Sequence, residues 1–138
     1  MKRSAPVSLP NIIVDAGPLA ALLNRRDPAH NWAGSYFLGT PGHYVVTYSA
    51  ITEACHHLDN RAVAIAALRQ LIAKWEIVAP DASSALEEME RWAPGMDFTD
   101  ACVVLLVRKY ARAFALTTDH RDFSTYRIPF ASPKGDFY

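Results

Sequence analysis

Short apolar runs alternate with helical patterns along this sequence, and that alternation limits the fold more than any other feature. Each run is typical of a buried strand, whereas the segments between the runs repeat apolar residues at spacings of three and four. The predicted strands are 11–14, 43–47, 76–79 and 114–117, with 126–130 as a candidate last edge strand. Strands that alternate with helices form a parallel sheet covered on both faces. We therefore predict an α/β fold, a three-layer α/β/α sandwich with four or five mostly parallel strands.

The predicted helices lie between these strands and are delimited by proline, glycine and capping residues. They are 19–24, 29–38, 49–59, 81–92 and 97–110, with a further helix after Asn60. Asn60 is predicted to cap that further helix. Its residues that recur at spacings of three and four, and so share one apolar face, are Val63, Ala66, Ala67, Leu71 and Trp75.

The 138 residues show no repeat, low-complexity tract or polar linker, so we predict a short N-terminal tail, 1–10, and a single domain, 11–138. Hydrophobic residues make up 51% of the chain, which excludes intrinsic disorder. No apolar run reaches the 18 residues that a membrane span requires. The two cysteines, Cys55 and Cys102, form no CxxC pair, which indicates neither a zinc module nor a disulfide framework. We expect a cytoplasmic protein without a membrane segment.

Four acidic residues are placed where the predicted topology brings chain segments to one edge of the sheet. Asp15 stands just past the first strand and Asp119 just past the fourth, and open α/β sheets bind ligands at the carboxyl ends of their strands. Glu53 lies in the first turns of the helix after the second strand. Asp100 lies in the first turn of the helix before the fourth strand. All four side chains can therefore face the same edge.

Four carboxylates brought together repel one another, and without a cation some of them would have to take up protons. A hard divalent ion resolves this repulsion. Oxygen ligands favour Mg²⁺ or Mn²⁺ over zinc or copper, and Mg²⁺ takes few carboxylates while it keeps water ligands that can meet a substrate phosphate. We therefore expect Mg²⁺, or Mn²⁺, at Asp15, Glu53, Asp100 and Asp119.

Several of these acids also have a purely local explanation. Asp15 can close its strand through an Asx turn, and Asp97 can cap a helix in which Asp100 interacts favourably with the dipole. Asp119 can cap the turn that follows it, where Asp122 is an equally suitable acid. The sequence leaves open whether Asp97 is a metal ligand, a helix cap or a support for a ligand.

The formal net charge of zero argues at first sight against a nucleic-acid binder, because such proteins usually carry a basic excess. If the four acids converge on one cation site, however, the rest of the chain carries fourteen basic and ten acidic groups. Ten of the basic residues are arginines, whose planar guanidinium suits phosphate. Net charge therefore does not exclude a nucleic-acid partner.

Other catalytic motifs are absent or incomplete. Glu53 and His56 form one Glu-x-x-His pair, whereas a di-iron bundle needs two such pairs on four long helices. The sequence has no HExxH, GxGxxG, GxxxxGK[ST] or GxSxG motif. Zinc proteases, dinucleotide-binding proteins, P-loop proteins and α/β-hydrolases are therefore disfavoured.

Four motifs, in their order and spacing, resemble those of PIN-domain proteins, and within that family the VapC-like toxins of bacterial toxin–antitoxin pairs. They are Ile-Val-Asp-Ala-Gly-Pro-Leu at 13–19, Ile-Thr-Glu-Ala-Cys at 51–55, Met-Asp-Phe-Thr-Asp-Ala at 96–101 and Thr-Thr-Asp-His-Arg-Asp-Phe at 117–123. The resemblance covers 12–128. It places Asp15, Glu53, Asp100 and Asp119 on the four acidic positions of the family and Thr117 on the hydroxyl of its Thr-x-Asp motif.

The resemblance implies a metal-dependent endoribonuclease. In that hypothesis Asp15, Asp100 and Asp119 hold one or two ions, and Glu53 binds an ion or orients the water that attacks the phosphodiester. The candidate phosphate contacts are Arg25, Arg26 and Arg121.

RNA, as single strands or loops, is the expected substrate. An antitoxin protein and a second copy of the chain, in a homodimer, are the expected partners. The alternatives are a non-catalytic PIN-like module that binds RNA or protein, a housekeeping RNA-processing nuclease, and a metal-dependent phosphatase, whose DxDxT signature is absent. A catalytic site should bind a divalent ion through the four acids, whereas a binding module should hold its partner equally well in chelator.

Overall fold

A computed structural model describes residues 8–137 and contains a six-stranded sheet. The strands are β1 (Asn11–Val14), β2 (His43–Thr47), β3 (Glu76–Val78), β4 (Ala113–Leu116), β5 (Phe130–Ser132) and β6 (Gly135–Phe137). Their order is β3-β2-β1-β4-β5-β6. The first five are mutually parallel, and β6 pairs antiparallel with β5. The α/β class and the mostly parallel sheet are confirmed, with one strand more than the predicted four or five. Of the predicted tail 1–10, residues 1–7 lie outside the described part.

Within residues 8–137, seven helices cover the sheet. They are α1 (Ala16–Leu22), α2 (His30–Gly39), α3 (Tyr48–His57), α4 (Ala62–Leu71), α5 (Ala82–Arg91), α6 (Phe98–Lys109) and α7 (His120–Tyr126). Six of them correspond to predicted helices with shifted ends. The first predicted helix, 19–24, begins earlier, at Ala16, because Asp15 caps it and Pro18 is tolerated in the first turn of a helix.

The central strand β1 shows why the molecule has three layers. Ile12, Ile13 and Val14 are all fully buried, as expected for a strand with parallel neighbours on both sides and helices on both faces. Successive side chains of a strand point to opposite faces. Ile13 accordingly packs in a core with α5, α6 and α7, whereas Ile12 and Val14 pack in a second core with α1, α2, α3 and α4.

The end of the chain corrects one prediction. Tyr126 is the last residue of α7, and the strand begins at Phe130, so 126–130 is not an edge strand. Phe123 and Tyr126, three residues apart, are both buried, which is the spacing of a helix face. Arg127 then ends the helix in a left-handed conformation, with φ of 59°. Because β6 pairs with the outer side of β5, β6 rather than β5 forms this edge of the sheet.

Helix α4 corrects a second prediction. Val63 is 85% exposed, and the buried side chains are Ala64 and Leu68 instead. Alanines occur on every side of this helix, so they do not define a face, and the larger Leu68 determines which side enters the core. Asn60 does not cap the helix, because it adopts a positive φ of 50° and Arg61 takes the capping position without a side-chain hydrogen bond.

Candidate active site

The candidate site lies at the carboxyl edge of the three central strands. Asp15 directly follows β1, and Asp119 follows β4 after two residues. Helix α6 leads into β4 through a short connection, so its first turn, with Asp100, lies at the edge where β4 ends. Glu53 is in α3, which begins directly after β2. The topology therefore brings the segments that carry the four predicted acids to one edge.

Asp15 is buried, and both of its carboxylate oxygens accept hydrogen bonds. Oδ1 accepts from the backbone N–H of Ala16 at 2.9 Å, and Oδ2 accepts from the hydroxyl of Thr117 at 2.8 Å. Burial raises the pKa of Asp15 to about 6, although these two hydrogen bonds act in the opposite direction. The charges of Glu53 and Asp97 raise that pKa further. A carboxylate has about four lone-pair sites, so Asp15 keeps acceptor capacity beyond these two bonds.

Asp100 is the second buried acid, with 7% of its surface exposed. The hydroxyl of Tyr126 donates to its Oδ2 at 2.9 Å. Burial raises the pKa of Asp100 to about 8, and the charges of Asp15, Asp97 and Asp119 add to the shift. The pKa of Tyr126 is raised as well, chiefly by burial, so its hydroxyl stays protonated and can donate. Asp15 and Asp100 thus cannot both ionise at neutral pH without strong mutual repulsion.

Three further aspartates surround this pair. Asp97 caps α6, its Oδ1 accepting from the backbone N–H of Asp100 at 2.8 Å. Asp119 caps α7, its Oδ1 accepting from the backbone N–H of Asp122 at 3.0 Å. Burial raises the pKa of Asp122, with contributions from its hydrogen bond to Asp119 and from the charge of Asp119. The capping roles that the sequence offered for Asp97 and Asp119 are therefore present and coexist with the cluster, whereas Asp15 caps α1 instead of forming an Asx turn.

Thr117 joins two parts of the cluster. Its hydroxyl donates to Asp15 and accepts from the backbone N–H of Asp119 at 3.0 Å. The side chain is fully buried. A single hydroxyl therefore sets the position of the Asp119 backbone relative to the Asp15 carboxylate.

Glu53 lies at the border of this cluster. It is half-buried in the middle of α3, and it is close enough to Asp15 for its charge to raise the pKa of Asp15. We call the whole set the acid pocket: Asp15, Glu53, Asp97, Asp100, Asp119 and Asp122.

Gly17 allows α1 to approach the loop after β4. A Cβ atom at this position would lie 2.0 Å from Oγ1 of Thr118, well inside contact distance. The close approach keeps the start of α1, next to Asp15, against the segment that carries Asp119. The glycine in the first motif thus has a steric reason.

The side chains of the acid pocket do not by themselves form a complete metal-binding site. Within residues 8–137, no three acidic, histidine or cysteine side chains converge closely enough to hold a metal ion by themselves. The donor set nevertheless fits Mg²⁺ or Mn²⁺, because these hard ions prefer oxygen, and Mg²⁺ binds through one or two carboxylates while waters and substrate phosphate complete its shell. Two buried, repelling carboxylates supply that number of protein ligands.

The sequence did not identify Tyr126 as part of the site, because its segment was interpreted as a strand. The spacing of Phe123 and Tyr126 was the available signal. Of the candidate phosphate contacts, Arg25 and Arg26 are exposed just beyond α1, and Arg121 is exposed in the first turn of α7, where it lowers the pKa of Asp122.

No helix in the described part of the chain is long and apolar enough to cross a membrane. Cys55 and Cys102 are both free thiols.

The fold is similar to that of a known toxin. Over 85% of this chain and 95% of the other, it matches VapC20 of Mycobacterium tuberculosis, described as a sarcin-ricin loop cleaving toxin, with a TM-score of 0.71 and 23% sequence identity. No protein-family model and no curated protein matches the sequence. The predicted resemblance to VapC-like toxins is thus confirmed for the fold.

Proposed function

We propose that this protein is a metal-dependent endoribonuclease of the VapC type, which hydrolyses RNA phosphodiester bonds with water. The observation that carries the proposal is the pair of buried carboxylates, Asp15 and Asp100, with pKa values raised to about 6 and about 8. Perturbed titration in a group of like charges at the carboxyl edge of a parallel sheet is typical of a functional site. The similarity to a toxin that cleaves the sarcin-ricin loop supports RNA as the substrate.

The charge balance of the acid pocket supports a cation. In the described residues the ion pairs are His43–Glu76 and Arg108–Glu88, so neither of the buried acids Asp15 and Asp100 forms an ion pair, although the charge of Arg121 acts on Asp122. Burying like charges without a counter-charge is costly, and the site must take up either protons or a cation. A divalent ion resolves the repulsion while it leaves the carboxylates ionised.

Asp15 and Asp100 would hold the ion, with Asp119 and Glu53 beside them as further oxygen donors. When bound, Mg²⁺ or Mn²⁺ supplies a more acidic water and neutralises charge on the phosphate oxygens.

The chain supports these ligands through its own hydrogen bonds. Thr117 holds one oxygen of Asp15, and Tyr126 holds one oxygen of Asp100. Asp97 fixes the backbone of Asp100 by capping α6. Hydrogen-bonded ligands are oriented before an ion or substrate arrives, which lowers the cost of assembling the site.

We extend the proposal to partners and compartment. A VapC-type nuclease would act in the cytoplasm, on RNA, under the control of an antitoxin protein. A homodimer is the expected assembly of the free protein, and light scattering after size-exclusion chromatography measures it.

The test measures ion binding and RNA cleavage on the same purified protein. Calorimetric titration with Mn²⁺ should show binding that Asp100→Asn removes, and single-stranded or loop-containing RNA should be cut with Mg²⁺ or Mn²⁺ but not in chelator. The matched control is Asp136→Asn, which removes one exposed carboxylate outside the acid pocket. Cleavage that persists in chelator would refute the metal-dependent nuclease. RNA binding without cleavage under any divalent ion would favour the non-catalytic module instead.

A further inference from the structure

Two adjoining depressions lead away from the acid pocket along α1 and the end of α3. The first, of about 320 Å³, is lined by Gly17, Ala20, Asn24, Asp27, His57 and Thr118, so it carries one acid of its own. The second, of about 490 Å³, shares Asn24 and His57 with it. Because the two share Asn24 and His57, they adjoin each other, and we describe them together as one groove.

One end of the groove is lined by Gly17 and Thr118, which are next in the chain to segments that carry the acid pocket. Gly17 is two residues after Asp15, and Thr118 directly precedes Asp119. His57 is four residues after Glu53 in α3, and residues four apart lie on the same side of a helix. With a rise of 1.5 Å per residue, α1 carries the groove about 9 Å from Ala16 to Leu22. The groove is therefore longer than a single phosphate group.

The far end of the groove is basic. Arg25, Arg26 and Arg61 line it, all three exposed, with Asp59 as the acid among the lining residues. Neither ion pair in the described residues involves any of these arginines. Arg61 is oriented by a hydrogen bond from its Nε to the backbone carbonyl of Leu58, at 3.3 Å. We call this far end, with Arg25, Arg26 and Arg61, the arginine groove.

Unpaired guanidinium groups beside a groove suit phosphate oxygens, which they can bind with two parallel hydrogen bonds. The acid pocket alone would repel a polyanion, so a phosphodiester chain that reaches it needs compensating positive charge nearby. Arg25 and Arg26 are close in sequence, whereas Arg61 comes from the loop before α4, so the tertiary structure creates the cluster.

We infer that the arginine groove binds the phosphodiester backbone of an RNA strand on one side of the bond that is cleaved. The strand runs from the acid pocket past Asn24 and His57 to Arg25, Arg26 and Arg61. This inference rests on the proposed function for the identity of the polymer as RNA. The binding of backbone phosphates by the arginines does not depend on whether the RNA is cleaved.

The experiment measures binding of a fluorescently labelled single-stranded oligoribonucleotide by anisotropy, in EDTA, over a series of salt concentrations. The variant Arg25→Gln/Arg26→Gln/Arg61→Gln should weaken binding at low salt. For single strands the slope of log K against log salt changes by about 0.7 per phosphate contact, so the triple variant should reduce its magnitude by about 2. The double variant Arg25→Gln/Arg26→Gln leaves the Arg61–Leu58 contact intact and should reduce it by about 1.4.

The matched control is Arg69→Gln/Lys74→Gln/Arg91→Gln, which removes the same charge from exposed sites outside the groove. It should keep the slope of the wild type. Equal weakening by both triple variants would overturn the inference, since net charge alone would then explain binding. Displacement of the RNA by inorganic phosphate at a concentration similar to that of competing unlabelled oligomer would also overturn it, since the site would then hold single phosphate groups.

The measurement in EDTA separates this inference from the proposed function. Groove-dependent RNA binding without metal-dependent cleavage would leave the arginine groove in place and refute the nuclease. Cleavage by the groove triple variant with an unchanged KM for RNA would refute the groove and leave the nuclease in place.

Discussion

The acid pocket and the arginine groove adjoin each other, but they hold their charges in opposite ways. In the acid pocket, Asp15 and Asp100 are buried and hydrogen-bonded. Burial raises the pKa of both, the charge of Asp97 raises both further, and the charge of Asp15 adds to the shift at Asp100. In the arginine groove, Arg25 and Arg26 are exposed and take part in no ion pair among the described residues. The first region carries a cost in stability at neutral pH, whereas the second carries almost none.

The difference indicates what each region can contribute. Buried groups held by Thr117 and Tyr126 are pre-positioned, which suits a task that depends on geometry. Exposed arginines are mobile and hydrated, which suits attraction of a polyanion whose sequence need not be read. Substitutions in the acid pocket should therefore affect chemistry and stability together, and those in the arginine groove should affect RNA affinity.

The largest expected effect separates the two regions by activity. Asp100→Asn should reduce RNA cleavage at saturating Mg²⁺ by at least about a hundredfold, because it removes a charged ligand from the site. Turnover of a labelled RNA measures the effect. Asp136→Asn, an equal change of charge on β6, should cleave as the wild type does. Equal activity of Asp100→Asn and wild type would show that Asp100 does not serve the reaction.

The second effect concerns stability and pH in the metal-free protein. Asp15 and Asp100 have folded-state pKa values raised to about 6 and about 8, so between pH 4 and 8 the folded protein binds more protons than the unfolded chain. Stability therefore falls as pH rises through that interval. Thermal unfolding in EDTA should show a melting temperature several degrees lower at pH 8 than at pH 5.

Asp100→Asn tests this explanation more directly, because it removes one of the two carboxyl groups, Asp15 and Asp100, whose protonation makes stability depend on pH. At pH 8 the variant should melt at a higher temperature than the wild type, and its stability should depend less on pH. Arg25→Gln/Arg26→Gln should follow the pH dependence of the wild type. A wild-type melting temperature that rises from pH 5 to pH 8 in EDTA would contradict the raised pKa values.

A third, intermediate effect tests the hydrogen bond that the sequence did not reveal. Tyr126→Phe removes the hydroxyl that donates to Asp100 and should lower the affinity for Mn²⁺ by about tenfold. Since the bond lowers the pKa of Asp100, its loss should also shift ion binding to higher pH. Calorimetry across pH measures both changes. Tyr110→Phe, which removes a hydroxyl bonded to Glu76 outside the acid pocket, is the matched control and should not shift ion binding. An unchanged pH profile in Tyr126→Phe would assign Tyr126 to packing alone.

The sequence predicted the parts that depend on continuous local patterns. The apolar run 11–14 is β1, and parallel topology implied that the segments after β1 and β4 meet, which places Asp15 and Asp119 at the same edge. Features that depend on how distant segments pack against each other were not predictable. Arg61 is far in sequence from Arg25, and the packing of α1 against α3 brings both to one groove.

Two errors have the same physical origin. In α4, small alanines on all sides left the buried face undefined, and Val63 was placed on the apolar face although it is exposed. The seven residues of α7 give too short a helical pattern to recognise, so the segment after Asp119 was interpreted as a turn and Tyr126 as the start of a strand. In both segments, packing against neighbouring elements decides which side chains are buried. The spacing of apolar residues within the segment carries no information about those neighbours.

The smallest expected effect concerns the contact between Gly17 of α1 and Thr118 of the loop after β4. Gly17→Ala would place a Cβ 2.0 Å from Oγ1 of Thr118, and relief requires the loop or the threonine to move. The cost of overpacking exceeds the gain in helix propensity, so we expect a loss of about 1 kcal/mol in the free energy of unfolding. Thr118→Ala in the same chain removes the clashing oxygen and should restore most of that loss. Urea unfolding of the two single variants and the double variant measures the coupling, and strictly additive changes would show that α1 and the loop after β4 are not in contact at this point.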